Sequence, residues 1–129
     1  MSKLKPHNSG QWTKARFTSF VKSQLRGGRW PPKYECLNLA KTGRKINKKT
    51  GRMAMHYLCN ECGEEFPAKE VVADHIEPVV DPDVGFVDWD TFIERLYVET
   101  DGFQCLCKPC HKVKTDEEKQ RAKLRRNNE

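Results

Sequence analysis

A chain of 129 residues, 36% hydrophobic and 33% charged, has room for one small domain with a thin apolar core. No apolar run reaches the roughly 18 residues of a membrane span, which leaves a soluble protein in a reducing cytoplasm as the expectation. The net charge of +6 hides a division: residues 1–55 hold 14 Lys/Arg against Glu35 alone, residues 56–104 hold two against 13 acids, and residues 105–129 hold eight against four. An acidic centre between basic arms suits a cation-binding middle carried on flanks that meet a polyanion, and a partnerless solvated surface does not explain so basic an arm.

The polar residues 1–11 predict a disordered tail, with His7 solvated. From Trp12 to Leu25, the residues Phe17, Phe20, Val21 and Leu25 recur at helical spacing while Lys14, Lys22 and Arg26 fall off that stripe. An amphipathic helix is expected there, ended by Gly27-Gly28. Pro31-Pro32 is expected to delay the next helix, over Lys33 to Ala40, and Trp30 to anchor the turn to the core. Residues 41–53 carry Lys41, Arg44, Lys45, Lys48, Lys49 and Arg52 around Ile46 and two glycines, and they read as a flexible basic loop or a loose hairpin.

His56-Tyr57-Leu58 predicts a short strand into a turn at Cys59–Cys62, relaxed by Gly63, with Glu64-Glu65-Phe66 leading out. Val71 to Ile76 reads as a strand closed by Pro78, and Asp81-Pro82-Asp83 as a turn. Trp89, Phe92, Ile93, Leu96 and Tyr97 predict an amphipathic helix with Asp88 or Asp90 as N-cap. Phe103 to Leu106 is the next strand. Cys107 to Lys114 is expected to be a short helix, and Thr115-x-x-Glu118 the capping box of a further helix to about Arg126.

Cys59/Cys62 and Cys107/Cys110 form two C-x-x-C pairs, a spacing that lets both sulfurs of a turn face one Zn²⁺. A structural zinc is the staple that a domain with so small a core needs. Disulfides are the competing use, disfavoured by the metal spacing and by the lack of a secretory-type leader. Four thiolates complete the shell, so His56 is left outside it, and Cys36 and Cys105 are expected to be small buried side chains. Asp74, His75 and His111 remain, residue types that hold a hard cation and move a proton. Adjacent helical residues point about 100° apart, so Cys110 can face zinc while His111 faces a second site. Lys114 shares the face of His111 and is placed to reach a phosphate there. Each of the three also has an ordinary reading, Asp74 as a turn or cap residue and the histidines as polar neighbours of a knuckle.

The string Cys59-x-x-Cys62, Val72-Ala73-Asp74-His75-Ile76-Glu77-Pro78, then Gln104-Cys105-Leu106-Cys107-Lys108-Pro109-Cys110-His111-Lys112-Val113-Lys114-Thr115 resembles the HNH endonuclease family in its four-cysteine, zinc-bound form. The segment Leu25 to Tyr34 and the insert around Trp89 are similar to phage-encoded members. The resemblance implies an α+β fold: a ββα-metal (HNH, His-Me finger) core over residues 56–115, stapled by a four-cysteine zinc site. A helical basic extension with its loop over 12–55 and a basic helix and tail over 116–129 would flank that core. It implies a DNA endonuclease hydrolysing phosphodiester bonds, with His75 as general base and Asp74 and His111 holding a catalytic Mg²⁺ or Mn²⁺. Double-stranded DNA would be met by Arg26, Arg29, Arg44, Lys45, Lys48, Lys49, Lys112 and Lys114, with a homodimer or a phage or host protein as a further partner. The family's middle asparagine falls on Gly102 here. The alternatives are a noncatalytic zinc-dependent DNA-binding module and a zinc-stapled protein adaptor.

Overall fold

Residues 4–128 are described by a computed structural model; residues 1–3 of the expected tail, and Glu129, lie outside the described residues. The described residues form a small α+β structure of four α-helices and two small sheets. Helix α1 (Lys14–Arg26) begins at Thr13, whose Oγ1 accepts from the Arg16 N–H at 3.2 Å, and ends at Gly27. The segment before it is not an open tail where described. His7 bridges to Trp12, the His7 ring stacks on Phe17 at 3.9 Å, and Trp12 lies against Phe20, so the preceding segment packs on the upper part of the α1 stripe while Phe20 stays exposed.

Helix α2 (Pro31–Leu39) starts earlier than expected. The two prolines open the helix instead of delaying it, because the first-turn N–H groups have no intrahelical acceptor to lose and the fixed φ of proline is already helical. Trp30 does anchor this corner: its Nε1–H donates to the Val98 carbonyl at 2.6 Å and its ring meets Tyr97 edge-on.

Of the two readings of residues 41–53, the structure has the hairpin and not the flexible loop. These residues form strand β1 (Lys41–Ile46) and the start of β2 (Met53–Leu58), an antiparallel pair extended by β3 (Glu65–Pro67). Alternation of apolar residues is absent because little of this ribbon faces a core. Its order comes from the backbone ladder and the closed turn at Asn47–Arg52.

The second sheet pairs β4 (Val71–His75) with β5 (Phe103–Cys107), antiparallel, in a register that puts Asp74 opposite Gln104 and His75 opposite Phe103. Between them, α3 (Trp89–Leu96) is capped by Asp88, whose Oδ1 accepts from the Thr91 N–H at 2.7 Å. Helix α4 (Lys108–Asn127) follows β5 as one unbroken helix of 20 residues. The expected break at Thr115 does not occur: a capping box needs an extended Thr, and no Gly or Pro interrupts helical geometry there. Ion pairs one turn apart, Lys112–Asp116 and Lys114–Glu118, span the place instead.

The apolar side chains gather in two clusters. One is Cys59, Leu106 and Cys107, with Phe66 and Cys110 against it; the other is Val79, Phe92 and Leu96, with Leu25, Val80, Trp89 and Tyr97. Helix α1 joins the second cluster through Leu25, and the Tyr97 hydroxyl donates to the Leu25 carbonyl at 3.0 Å. Cys36 of α2 and Cys105 of β5 are buried, as expected of small apolar side chains. Burial first, then the neighbouring Cys36, pushes the Cys105 thiol up to about 11. The far end of α4 is tied to the loop after β4 by the Arg121–Asp83 ion pair and by Arg125 Nε donating to the Pro82 carbonyl. No described helix is long and apolar enough to cross a membrane.

Candidate metal centre and acid–base site

Cys59 and Cys62 lie on the turn between β2 and β3, Cys107 ends β5, and Cys110 sits in the first turn of α4. The turn is fixed by the Cys59 N–H to the Glu64 carbonyl at 2.9 Å and by the Gly63 N–H to the Cys59 carbonyl at 3.0 Å, with Gly63 at φ 73°. The Asn60 N–H donates to the Cys105 carbonyl at 2.8 Å, which docks the turn on β5.

All four sulfurs lie within 4.8 Å of one another, and Cys62 and Cys107 are 4.0 Å apart. The edge of a tetrahedron with metal–sulfur bonds of about 2.3 Å is about 3.8 Å, so the set fits a structural Zn²⁺. Its electrostatics agree. Burial pushes the Cys59 thiol up, but N–H groups of Cys107, Cys62 and Glu61 outweigh it and bring the thiol down to about 6. Hydrogen bonding to Cys107, followed by burial, pushes Cys110 up to about 12. Four crowded sulfurs cannot all ionise without a cation between them, and a divalent ion removes that conflict.

On the other face of α4's first turns, His111 points away from the sulfurs and meets Asp74 of β4, Nε2 to Oδ1 3.5 Å. The second carboxylate oxygen is occupied: Lys114 Nζ lies 2.9 Å from Oδ2, and the Gln104 side-chain amide donates to it at 3.2 Å. Gln104 is in turn held by the Asn60 amide at 3.0 Å, so the knuckle reaches Asp74 through two side chains. Asp74 is well covered, its side chain 13% exposed, while the His111 imidazole is 40% exposed. Lys114 also donates to the His75 carbonyl at 2.9 Å and pairs with Glu118 at 2.8 Å. Burial disfavours its charge, but Glu118 and Asp74 outweigh this and raise its pKa.

His75 Nε2 lies 2.8 Å from the Leu96 carbonyl. A carbonyl only accepts, so that contact assigns the proton to Nε2 and leaves the Nδ1 lone pair available. The ring leans on Phe103 at 4.6 Å. Burial lowers the His75 pKa; the Leu96 hydrogen bond opposes this, and the positive charges of Lys33 and Arg26 add to the lowering, with Asp74 acting against them. The basic extension therefore reaches this histidine. The imidazole is held neutral beside a positive field.

Gly102 occupies the place of the asparagine expected from the resemblance. Its carbonyl accepts from the Ile76 N–H at 3.0 Å, closing the end of the β4–β5 pair. A Cβ there would stand 2.5 Å from Val98 Cγ2 and 2.7 Å from Val98 Cβ, so no side chain fits. The loop after β4 is braced from elsewhere: Arg95 Nε and Nη2 donate to the Pro78 carbonyl at 2.8 and 2.6 Å, and Nε also reaches the Val79 carbonyl at 3.1 Å. Gly102→Asn is thus expected to destabilise the fold by about 1–3 kcal/mol, the cost of overpacking. The check is a lower thermal midpoint than wild type, at equal zinc content.

Of the sequence-predicted residues, Asp74, His111 and Lys114 come together at one end of the β4–β5 pair, whereas the His75 ring, next to Asp74 on the strand, is turned to Leu96 and Phe103 and only its carbonyl meets Lys114. The remaining cations are dispersed: Arg26 stacks over Phe92, Arg29 over Tyr34, Lys112 pairs with Asp116, and Arg44, Lys45, Lys48 and Lys49 lie on the hairpin. Gln104, Asn60 and Arg95 carry no sequence signal of their own, because their roles arise from cross-strand register and from loop carbonyls distant in the chain. No protein-family model, curated protein or solved structure matches this chain.

Proposed function

We propose that the protein is a divalent-metal-dependent DNA endonuclease of HNH type. The meeting of Asp74 and His111 at 3.5 Å is the observation that supports this reading most. The antiparallel β4–β5 pair and the first turns of α4 would then be its ββα-metal unit, with the four-cysteine zinc fixing the helix. The two donors differ in kind, one carboxylate oxygen and one imidazole nitrogen. Such a pair would hold a Mg²⁺ or Mn²⁺ ion through Asp74 and His111, a hard cation for which oxygen and imidazole donors are suited.

A bound cation supplies charge stabilisation at the scissile phosphate and its leaving oxygen. The chain's own part is proton transfer and placement. His75 Nδ1 accepts a proton from a water aligned with phosphorus, and the Leu96 carbonyl keeps the imidazole in the tautomer that permits this. The ring's lowered pKa keeps it unprotonated at neutral pH. Lys33 and Arg26, whose charges reach His75, would draw the phosphate backbone toward it.

One observation favours a second reading. The Lys114 ammonium on Asp74 Oδ2 supplies the positive charge that a metal would otherwise bring, as expected of a zinc-stapled DNA-binding module without catalysis. Zinc-loaded protein incubated with supercoiled plasmid and added Mg²⁺ or Mn²⁺ separates the two. Nicked or linear product that depends on the added ion is the expected result. Intact supercoiled plasmid with every ion tried, alongside a retained gel shift, would establish the noncatalytic module.

A further inference from the structure

We propose that the β1–β2 hairpin is a groove-binding ribbon for duplex DNA, touching it through Arg44, Lys48, Arg52 and the apolar pair Ile46–Met53, while Lys45 and Lys49 hold the ribbon to the protein. This rests on the nucleic-acid part of the reading above and is independent of the cleavage chemistry. Six cations and no acid lie between Lys41 and Met53, yet the structure divides them. Lys45 pairs with Glu65, and Lys49 pairs with Glu70 at 2.8 Å, so both charges are answered from within the protein. Arg44, Lys48 and Arg52 are exposed, and none forms an ion pair among the described residues.

The register sets which face each residue takes. Cross-strand partners share a face, so Arg44 with Met55 and Ile46 with Met53 lie on one side of the ribbon. Lys45 with Ala54 and Gly43 with the buried His56 lie on the other, the side of Glu65. Ile46 is 61% and Met53 52% exposed, two apolar side chains directly opposite each other in open water at the end of a strand pair. Single exposed apolar residues are ordinary; a registered pair on a ribbon that carries Arg44 on the same side, with Lys48 and Arg52 exposed at its turn end, has the layout of a surface that meets an anionic rim with an apolar floor.

Duplex DNA has that layout: two rows of phosphates bound a groove whose floor offers base edges and thymine methyl groups, and the major groove admits a two-stranded ribbon. The ribbon is ordered before any contact. The Asn47 N–H donates to the Arg52 carbonyl at 2.7 Å, the Asn47 carbonyl accepts from Gly51 at 2.7 Å, and Asn47 Oδ1 accepts from the Lys49 N–H at 3.0 Å. Preorganisation of this kind lowers the entropy lost on binding.

The test is anisotropy of a short labelled duplex with the full zinc-loaded chain over a range of salt concentrations. Arg44→Ala, Lys48→Ala and Arg52→Ala are each expected to reduce the slope of log K against log salt by about 0.9, one phosphate contact apiece. The Ile46→Ser/Met53→Ser double variant is expected to bind about tenfold more weakly at unchanged slope. Lys45→Ala and Lys49→Ala should leave the slope as in wild type. The proposal is overturned if the Arg44/Lys48/Arg52 triple variant, with wild-type zinc content and thermal midpoint, keeps wild-type affinity and slope. Equal slope losses from Lys45 and Lys49 overturn it as well, as does polyglutamate displacing the duplex as readily as unlabelled duplex does. A wild-type chain that binds no DNA at any salt brings down the nucleic-acid reading itself, and binding without cleavage brings down only the nuclease, so the failures are distinguishable.

Discussion

Replacing His75 with alanine is expected to lower plasmid cleavage by about two to four orders of magnitude, the usual contribution of a positioned general base. Zinc content and duplex affinity should stay at wild-type levels, because His75 is neither among the clustered sulfurs nor on the basic hairpin. Removing the ring also removes the hydrogen bond to the Leu96 carbonyl, at a cost of about 0.5–1.5 kcal/mol. His75→Gln controls for that loss: it keeps a side-chain N–H donor but offers no basic nitrogen. Both variants should be equally inactive in the plasmid assay. If His75→Gln cleaves at close to the wild-type rate, His75 is a brace for the α3 end of the site and the base must be sought elsewhere.

Loss of the zinc is expected to have a larger effect still, on the fold instead of the chemistry. Cys59→Ser or Cys110→Ser should yield a protein that holds no zinc and has lost its cooperative thermal transition, read by metal content and near-ultraviolet circular dichroism. Structural zinc sites contribute about 10–16 kcal/mol, against a total stability of about 5–15 kcal/mol for ordinary domains. Little remains to replace it, because Cys59 and Cys107 are themselves the centre of one apolar cluster, with Leu106 as its only large fully buried aliphatic side chain among the described residues. A Cys110→Ser protein that is zinc-free and still melts cooperatively would refute this account of stability.

The parts of the fold legible from sequence are those with a local cause. The stripe of α1, the Asp88 cap of α3 and the β-branched run of β4 each follow from propensity and spacing within a few residues. For residues 41–53 the sequence leaves a loop and a hairpin both open, because ladder bonds stabilise an exposed ribbon without any apolar alternation, and the acids that fasten it, Glu65 and Glu70, come later in the chain. Thr115 misleads for the opposite reason: a local motif for starting a helix sits inside a helix already under way. Gly102 is a place where Val98 admits no side chain, and the loop after β4 is held by Arg95.

For the candidate site, residue type and spacing alone determined the four-cysteine ligand set and singled out Asp74, His75 and His111. A knuckle's paired ligands here have two residues between them, and a helix separates neighbours by a fixed angle, so both are properties of a short stretch of chain. Only the tertiary structure decided that His111 meets Asp74, that Lys114 occupies the other carboxylate oxygen, and that Gln104 and Asn60 connect that carboxylate to the knuckle. Those contacts depend on the register of β4 against β5 and on the rotation of α4 about its axis. Local propensity sets neither: the backbone ladder fixes the register, and packing fixes the rotation where Cys110 turns toward the other three sulfurs.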